Sequence, residues 1–281
     1  MKNEMILGID MGGTNLRAGL VKNGVATNII SQRIHAGGSV EEVLNEFFYL
    51  IDKVIHDDVK AIGIGFPGLA VNGIAYDVYN IPSWKEVPLQ RLLEQRYNKP
   101  VLINNDANCF TLGEFYFGKG KGADTMIGLT VGTGLGSGII IGNKLYSGKA
   151  CCAGEFGMIP YLDKFYEYYA SGQFFQNIYG IDGETVFNKA AQGDEDVLNM
   201  YAVFGKHLGN AIKTILYALD PQLIVLGGSV RHAFQFFEQC MWQQIETLEL
   251  KRGLTEFKIE VSELENSAIL GAASLHYDLH P

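Results

Sequence analysis

One device occurs twice in this chain, at an offset of 120 residues, and it restricts the fold more than any other feature. The first copy, residues 6–21 (ILGIDMGGTNLRAGLV), is an apolar strand through Ile6, Leu7 and Ile9 that reaches Asp10. It turns through Gly12, Gly13 and Thr14 and leaves as a second strand with Leu16, Ala18 and Leu20 alternating with other residues. Adjacent glycines let backbone N–H groups approach a phosphate with no Cβ in the way, Thr14 adds a hydroxyl donor, and Asp10 suits a Mg²⁺ ion or its water shell. Taken alone, the stretch is equally an ordinary tight hairpin. The second copy, residues 127–145 (IGLTVGTGLGSGIIIGNKL), sets Gly128 on Gly8, Thr130 on Asp10, Gly132 on Gly12, Gly138 on Ala18 and Asn143 on Asn23. Two phosphate hairpins, Gly12-Gly13-Thr14 and Gly132-Thr133-Gly134, predict two related half-domains.

A chain of 281 residues, 47% hydrophobic, supplies the cores of two domains of ordinary size. Its 34 glycines, about 12% against a usual ~7%, gather in the hairpins and neighbouring turns, the pattern of loops shaped for ligands. A formal charge of −9 argues against nucleic acid as the main partner, because phosphate-backbone affinity needs clustered Lys and Arg. The N-terminus lacks a signal-peptide apolar region and no apolar run reaches the roughly 18 residues of a membrane span, so a cytoplasmic protein with no membrane partner is expected. Cys109, Cys151, Cys152 and Cys240 show no CxxC spacing and read as small buried hydrophobes.

Along the chain, Ser39 and Glu42 form a capping box ahead of an amphipathic period (Val43, Leu44, Phe47, Ile51, Val54), the expected crossover helix to a buried strand at 59–66. Residues 69–84 read as a loop ending Asn80-Ile-Pro-Ser-Trp84. A helix over 89–97 leads to a short strand and then Asn104-Asn-Asp-Ala-Asn108. Asn and Asp at a strand end that becomes a helix start fit either helix capping or chemistry at the carboxyl end of a parallel strand. Gly142-Asn143 reads as a two-residue hairpin turn. A long apolar stripe (Val197, Tyr201, Phe204, Leu208, Ile212, Ile215) marks a core helix stopped by Asp220-Pro221. Residues 223–230 (LIVLGGSV) form a buried strand entering the glycine turn Gly227-Gly228. The expected halves are 1–118 and 119–281, with the last helix, near 267–276, packing back on the first.

Taken together, DMGGTNLR, NNDAN, GTGLGSGIIIGNKLYSG, GEFG and VLGGSV resemble, in order, the motifs of the ROK (repressor, ORF, kinase) family of bacterial sugar kinases, over essentially the whole chain. The resemblance implies an α/β fold of the duplicated actin-like (ribonuclease H-like) ATPase kind, two domains with a cleft between them. It also implies phosphoryl transfer from ATP, with Mg²⁺, to a hexose hydroxyl, the 6-OH. Asp106 then takes the place of the general base, Asp10 orients the metal ion, both hairpins cradle phosphates, and the Gly227-Gly228 turn lies under the adenosine. Asn80, Asn105, Asp106, Glu155 and Glu167 take the sugar-contacting places, glucose being the first expectation and N-acetylmannosamine the second. A homodimer is the expected assembly. Repressor members carry a helix-turn-helix before the first hairpin, and with five residues ahead of Ile6 that branch is not expected here; a non-catalytic sugar sensor is the competing reading. The chain departs from the family at a zinc knuckle: Met158 stands in the place of a His, and the segment 160–166 has no cysteine. No zinc is therefore expected, and Ile159, Tyr161, Leu162, Phe165 and Tyr166 are expected to fix Glu167 by packing instead.

Overall fold

The computed structural model describes residues 3–12 and 14–279, so Gly13 of the first hairpin lies outside the described residues. Among them, no helix is long and apolar enough to cross a membrane. The chain divides into two compact units, one formed by 1–122, 138–153 and 263–281, the other by 123–137 and 154–262.

In the first unit, β1 (Met5–Met11) and β2 (Asn15–Lys22) form the hairpin, followed by β3 (Val25–Arg33), α1 (Val40–Asp52) and β4 (Val59–Phe66). Three short strands follow, β5 (Leu69–Val71), β6 (Ile74–Tyr76) and β7 (Glu86–Val87), then α2 (Leu89–Tyr97), β8 (Val101–Asn105) and α3 (Asp106–Phe117). The main sheet has the order β3-β2-β1-β4-β8, antiparallel through β1 and parallel from β1 to β8. Its hydrophobic faces follow the twofold period of a strand. Leu7, Ile9 and Met11 pack in one core with Val43, Phe47, Leu50 and Ile51 of α1, whose N-terminus carries the full Ser39–Glu42 capping box. Ile6, Val21 and Ala61 pack with Ile269, Leu270, Ala273 and Tyr277. The segment 69–84, read as plain loop, instead contains the β5–β6 hairpin, which pairs on to β7. The strands are too short for a periodicity to register.

The chain then forms β9 (Met126–Val131), β10 (Leu135–Ile141) and β11 (Lys144–Leu145), passing from the second unit to the first within β10. The Gly142-Asn143 turn that closes β10 on β11 has φ of 59° and 63°, the left-handed pair that a two-residue hairpin demands, and Asn23-Gly24 after β2 has the same hand at 54° and 77°. The second unit continues through the hairpin β12 (Pro160–Tyr161) and β13 (Lys164–Phe165), α4 (Tyr166–Ala170), α5 (Gln173–Tyr179), α6 (Gly183–Ala191) and α7 (Glu195–Leu219). β14 (Leu223–Gly227), α8 (Phe234–Ile245) and β15 (Lys258–Val261) complete it, and α9 (Ser267–Leu279) belongs to the first unit. The second sheet has the order β11-β10-β9-β14-β15, with β14 parallel to both β9 and β15. It is the first sheet's order again, so the repeated hairpin is the visible part of a repeated α/β half, as the duplicated actin-like arrangement requires. All five residues of β14 are buried, which is why it reads as an unbroken apolar run.

α7 ends at Asp220, whose left-handed φ of 44° and following proline stop the helix. It packs on α8 through Gly205 and Gly209; a Cβ at Gly205 would lie 2.6 Å from Phe237 O, and one at Gly209 2.7 Å from Met241 O.

Candidate active site

In the first unit, three strands of the parallel run end side by side. Asp10 near the end of β1 is registered with Gly65 of β4, and Gly65 with Asn104 of β8, so the acid of the first hairpin and the Asn104–Asn108 cluster reach the same edge of the sheet. Asn105 is the N-cap of α3, its Oδ1 accepting from Ala107 N at 2.9 Å, while its Nδ2 donates to Gly68 O at 3.4 Å. Asp106 is the first residue of that helix and accepts from the same Ala107 N at 2.9 Å. Asn104 braces the turn from behind: its Oδ1 accepts from Asn105 N (2.8 Å) and Asn108 Nδ2 (2.9 Å), and its Nδ2 donates to Ser147 Oγ at 3.3 Å. Both readings of the cluster thus meet here, since capping by Asn105 and bracing by Asn104 and Asn108 leave Asp106 as the one acid at the helix start.

Two carboxyl groups in this low-polarity edge disfavour each other's charge. Burial pushes Asp10 up to about 6, Asp106 nearby adds to the rise, and Arg17, its cross-strand partner on β2, opposes it. Arg17 is itself held by a 2.6 Å bond from Nη2 to Asn266 Oδ1. Burial likewise raises Asp106, against the lowering effect of the N–H bonds of Ala107 and its own amide. An unfolded Asp loses its proton near 3.9, so between about 4 and about 6 the native chain binds more protons at Asp10 than the unfolded one does. Its contribution is therefore present below that window and lost as pH rises through it, at a cost of at most about 3 kcal/mol. Asp10→Asn is expected to raise the Tm of ligand-free protein at neutral pH and to flatten the acid-side slope. A variant melting below wild type at neutral pH would mean that the ionised carboxylate is net stabilised where it sits.

The first hairpin turn is closed by Gly12 N to Asn15 O at 2.9 Å, and Asn80 Nδ2 donates to Gly12 O at 2.8 Å. Asn80 thus clamps the turn, a contact that its sequence context did not reveal. Thr14 Oγ1 accepts from Asn15 Nδ2 at 3.3 Å.

In the second unit, Gly132 N bonds Gly134 O at 3.0 Å across the second turn, and Thr130, the counterpart of Asp10, donates its hydroxyl to Gly136 O at 3.1 Å. Gly172 N reaches Gly132 O at 2.7 Å, and Gln173 Nε2 reaches Thr133 O at 2.8 Å, tying the start of α5 to this turn. Gly228, with φ of 78°, sits so close to β9 that a Cβ would lie 2.2 Å from Val131 O. These approaches frame a cavity of about 840 Å³ bordered by Gly132, Thr133, Gln173, Phe187, Tyr201 and Val230. Gln173, Glu184, Phe187 and His232 of its lining are not legible as site residues: they are spread over α5, α6 and the turn after β14, and Phe187 carries the same periodic signal as core. Glu155 is exposed, ahead of a 3₁₀ turn at 156–158. Glu167, on α4, accepts from Leu135 N at 2.9 Å with Oε2. Of the packing cluster expected around it, Tyr166 is buried and stacks on Tyr161 with centroids 4.4 Å apart, but Leu162 is 68% exposed. Leu162 occupies the left-handed turn of the β12–β13 hairpin, φ 54°, and its side chain is directed outward.

The ROK family profile matches residues 6–278. A glucokinase of Thermotoga maritima is 27% identical, covering 98% of each chain, and a glucokinase of Streptomyces coelicolor is 30% identical over 80% of this chain and 82% of that one. The crystal structure of a ROK family glucokinase from Streptomyces griseus, in complex with glucose and AMPPNP, superposes with a TM-score of 0.78 at 27% identity, covering 96% of this chain and 98% of that one.

Proposed function

The chain belongs to the ROK family, and from that premise we propose that it is an ATP-dependent hexose kinase that phosphorylates the 6-OH, with glucose as the preferred acceptor. The observation that carries the reading is Asp106, an acid at the carboxyl end of a parallel strand and the head of a helix, its pKa raised by burial beside a second acid, Asp10. A carboxylate so raised is a stronger base than an ordinary aspartate and is matched to accept a hydroxyl proton as the oxygen attacks phosphorus. Asn105 and Asn104 hold it in place by the bonds already given, and Asn80, Asn105 and Asp106 are assigned to sugar hydroxyls. Glu155 and Glu167 are assigned to the sugar by their motif positions.

The 840 Å³ cavity suits an adenosine, with Ser229 and Val230, which follow the Gly227-Gly228 turn, in its lining and the Thr133 and Gly134 amides assigned to phosphate. The Gly12-Gly13-Thr14 turn is the matching cradle of the first unit. Two destabilised carboxyl groups with Arg17 as the opposing charge fit a divalent cation that arrives with the nucleotide, and Asp10 is the residue that would hold Mg²⁺, which supplies neutralisation of charge on the transferring phosphoryl group.

Purified protein assayed with ATP and Mg²⁺ over hexoses and N-acetylhexosamines is expected to phosphorylate glucose and to leave 6-deoxyglucose untouched. Sugar binding without turnover on any member of that panel would replace the kinase by the sugar sensor. Gly228→Ala is expected to raise the KM for ATP at least tenfold while the sugar KM moves little, because the Cβ has no room against Val131 and the φ is left-handed. An unchanged ATP KM would remove this turn from the nucleotide site.

A further inference from the structure

The Glu167 carboxylate does not stand by itself. Its Oε2 lies on Leu135 N, and a Cβ at Gly134 would come within 2.6 Å of it, so this acid is pressed into the glycine turn assigned to phosphate. It is carried by a helix of five residues, too short to hold a side chain's direction by its own hydrogen bonds. What holds α4 is a half-buried polar network within aromatic packing against α7. Tyr166, next to Glu167, pairs its hydroxyl with Thr214 Oγ1 at 2.8 Å, and its ring stacks on Tyr161.

Tyr161 is the hub. Asn210 Nδ2 donates to its hydroxyl at 3.0 Å, and Asn210 is itself oriented by Gln244 Nε2, which donates to its Oδ1 at 2.9 Å from α8. The Tyr161 hydroxyl also pairs with His207 Nδ1, 3.1 Å away. Burial holds His207 below the usual histidine range, consistent with a neutral imidazole. Tyr169, from the next turn, packs against both Tyr161 and His207 and donates to Asp163 in the hairpin turn.

We propose that Tyr161 is the positioning residue of this site: locked between Asn210 and His207, it fixes α4 so that Glu167 is delivered to the Gly134-Leu135 turn, making one device of a sugar acid and a phosphate hairpin. The functional part rests on the assignment of Glu167 to the sugar. Tyr161→Phe keeps the ring and its stacking and removes only the hub oxygen. It is expected to speed hydrogen exchange of the Leu135 amide about tenfold, towards the rate in Glu167→Ala, and to raise the sugar KM about five- to tenfold with the ATP KM within twofold, the size of effect that follows loss of one half-buried hydrogen-bond partner. Leu135 exchange that accelerates in Glu167→Ala but not in Tyr161→Phe would overturn the proposal. So would a parallel rise of both KM values with faster exchange along the whole of α7, which is general loosening. Faster Leu135 exchange in both variants with an unmoved sugar KM would leave Tyr161 as the positioning residue and remove Glu167 from the sugar site.

Discussion

Asp106→Asn is expected to lower kcat by roughly 10²–10⁴-fold, the usual value of a general base, with the sugar KM changed far less. The amide is nearly isosteric and keeps an oxygen to accept from Ala107 N, so α3 retains its start and Asn105 retains its cap. What is lost is the capacity to take a proton. Because ionised Asp106 also adds to the rise of Asp10, the variant should titrate Asp10 lower, and the acid limb of any residual activity should move to lower pH. Turnover within tenfold of wild type would take Asp106 out of the mechanism and return the Asn104–Asn108 cluster to helix capping alone.

Gly63→Ala is expected to destabilise the first unit by about 3 kcal/mol or more, enough to lower the yield of folded protein. The side chain is one methyl group, but the position where it would stand is 1.8 Å from Ala272 O, on the backbone of α9. The neighbouring strand repeats the constraint: Gly8, registered with Gly63, would place a Cβ 2.2 Å from Ile269 O. From the helix side, a Cβ at Gly271 would fall 1.6 Å from Cys109 O on α3. α9 therefore lies on bare backbone, and no rotamer change relieves the clash, because backbone atoms are what it meets. Gly183→Ala, at a helical position with nothing within 4 Å of its Cβ, is the matched control and should be neutral or slightly stabilising in urea unfolding. A Gly63→Ala midpoint equal to the control's would mean that α9 slides freely on the sheet.

The two largest effects were not equally visible beforehand. Asp106 is in a run of Asn and Asp too dense for capping alone, and that local excess carries information. Gly63 sits in an ordinary apolar strand, VKAIGIGF, and nothing within the strand says that a helix more than 200 residues later requires it to be glycine. The same division runs through the site. That Asn105 also caps α3 through Ala107 N and reaches Gly68 O, and that the Asn80 amide grips the first hairpin, follows from contacts no local pattern carries. Leu162 looked like core, and a left-handed turn pointed it out.

By itself the sequence determined the parts whose cause is local: the duplicated hairpin with its paired strands, the Ser39–Glu42 capping box, the Gly142-Asn143 turn, the apolar stripe of α7 and its stop at Asp220-Pro221. Each follows from backbone sterics, capping or side-chain period within a few residues, and each is where the pattern put it. Only the tertiary structure decided what depends on strands meeting. Parallel pairing of β1 with β4 and of β4 with β8 brings Asp10 level with the Asn104–Asn108 turn, and from that proximity and burial come the raised carboxyl groups. The nucleoside-sized cavity is likewise lined from the turn after β9, from α5, α6 and α7, and from the turn after β14, elements far apart in the chain whose side chains acquire a common purpose only once packing has excluded water from around them.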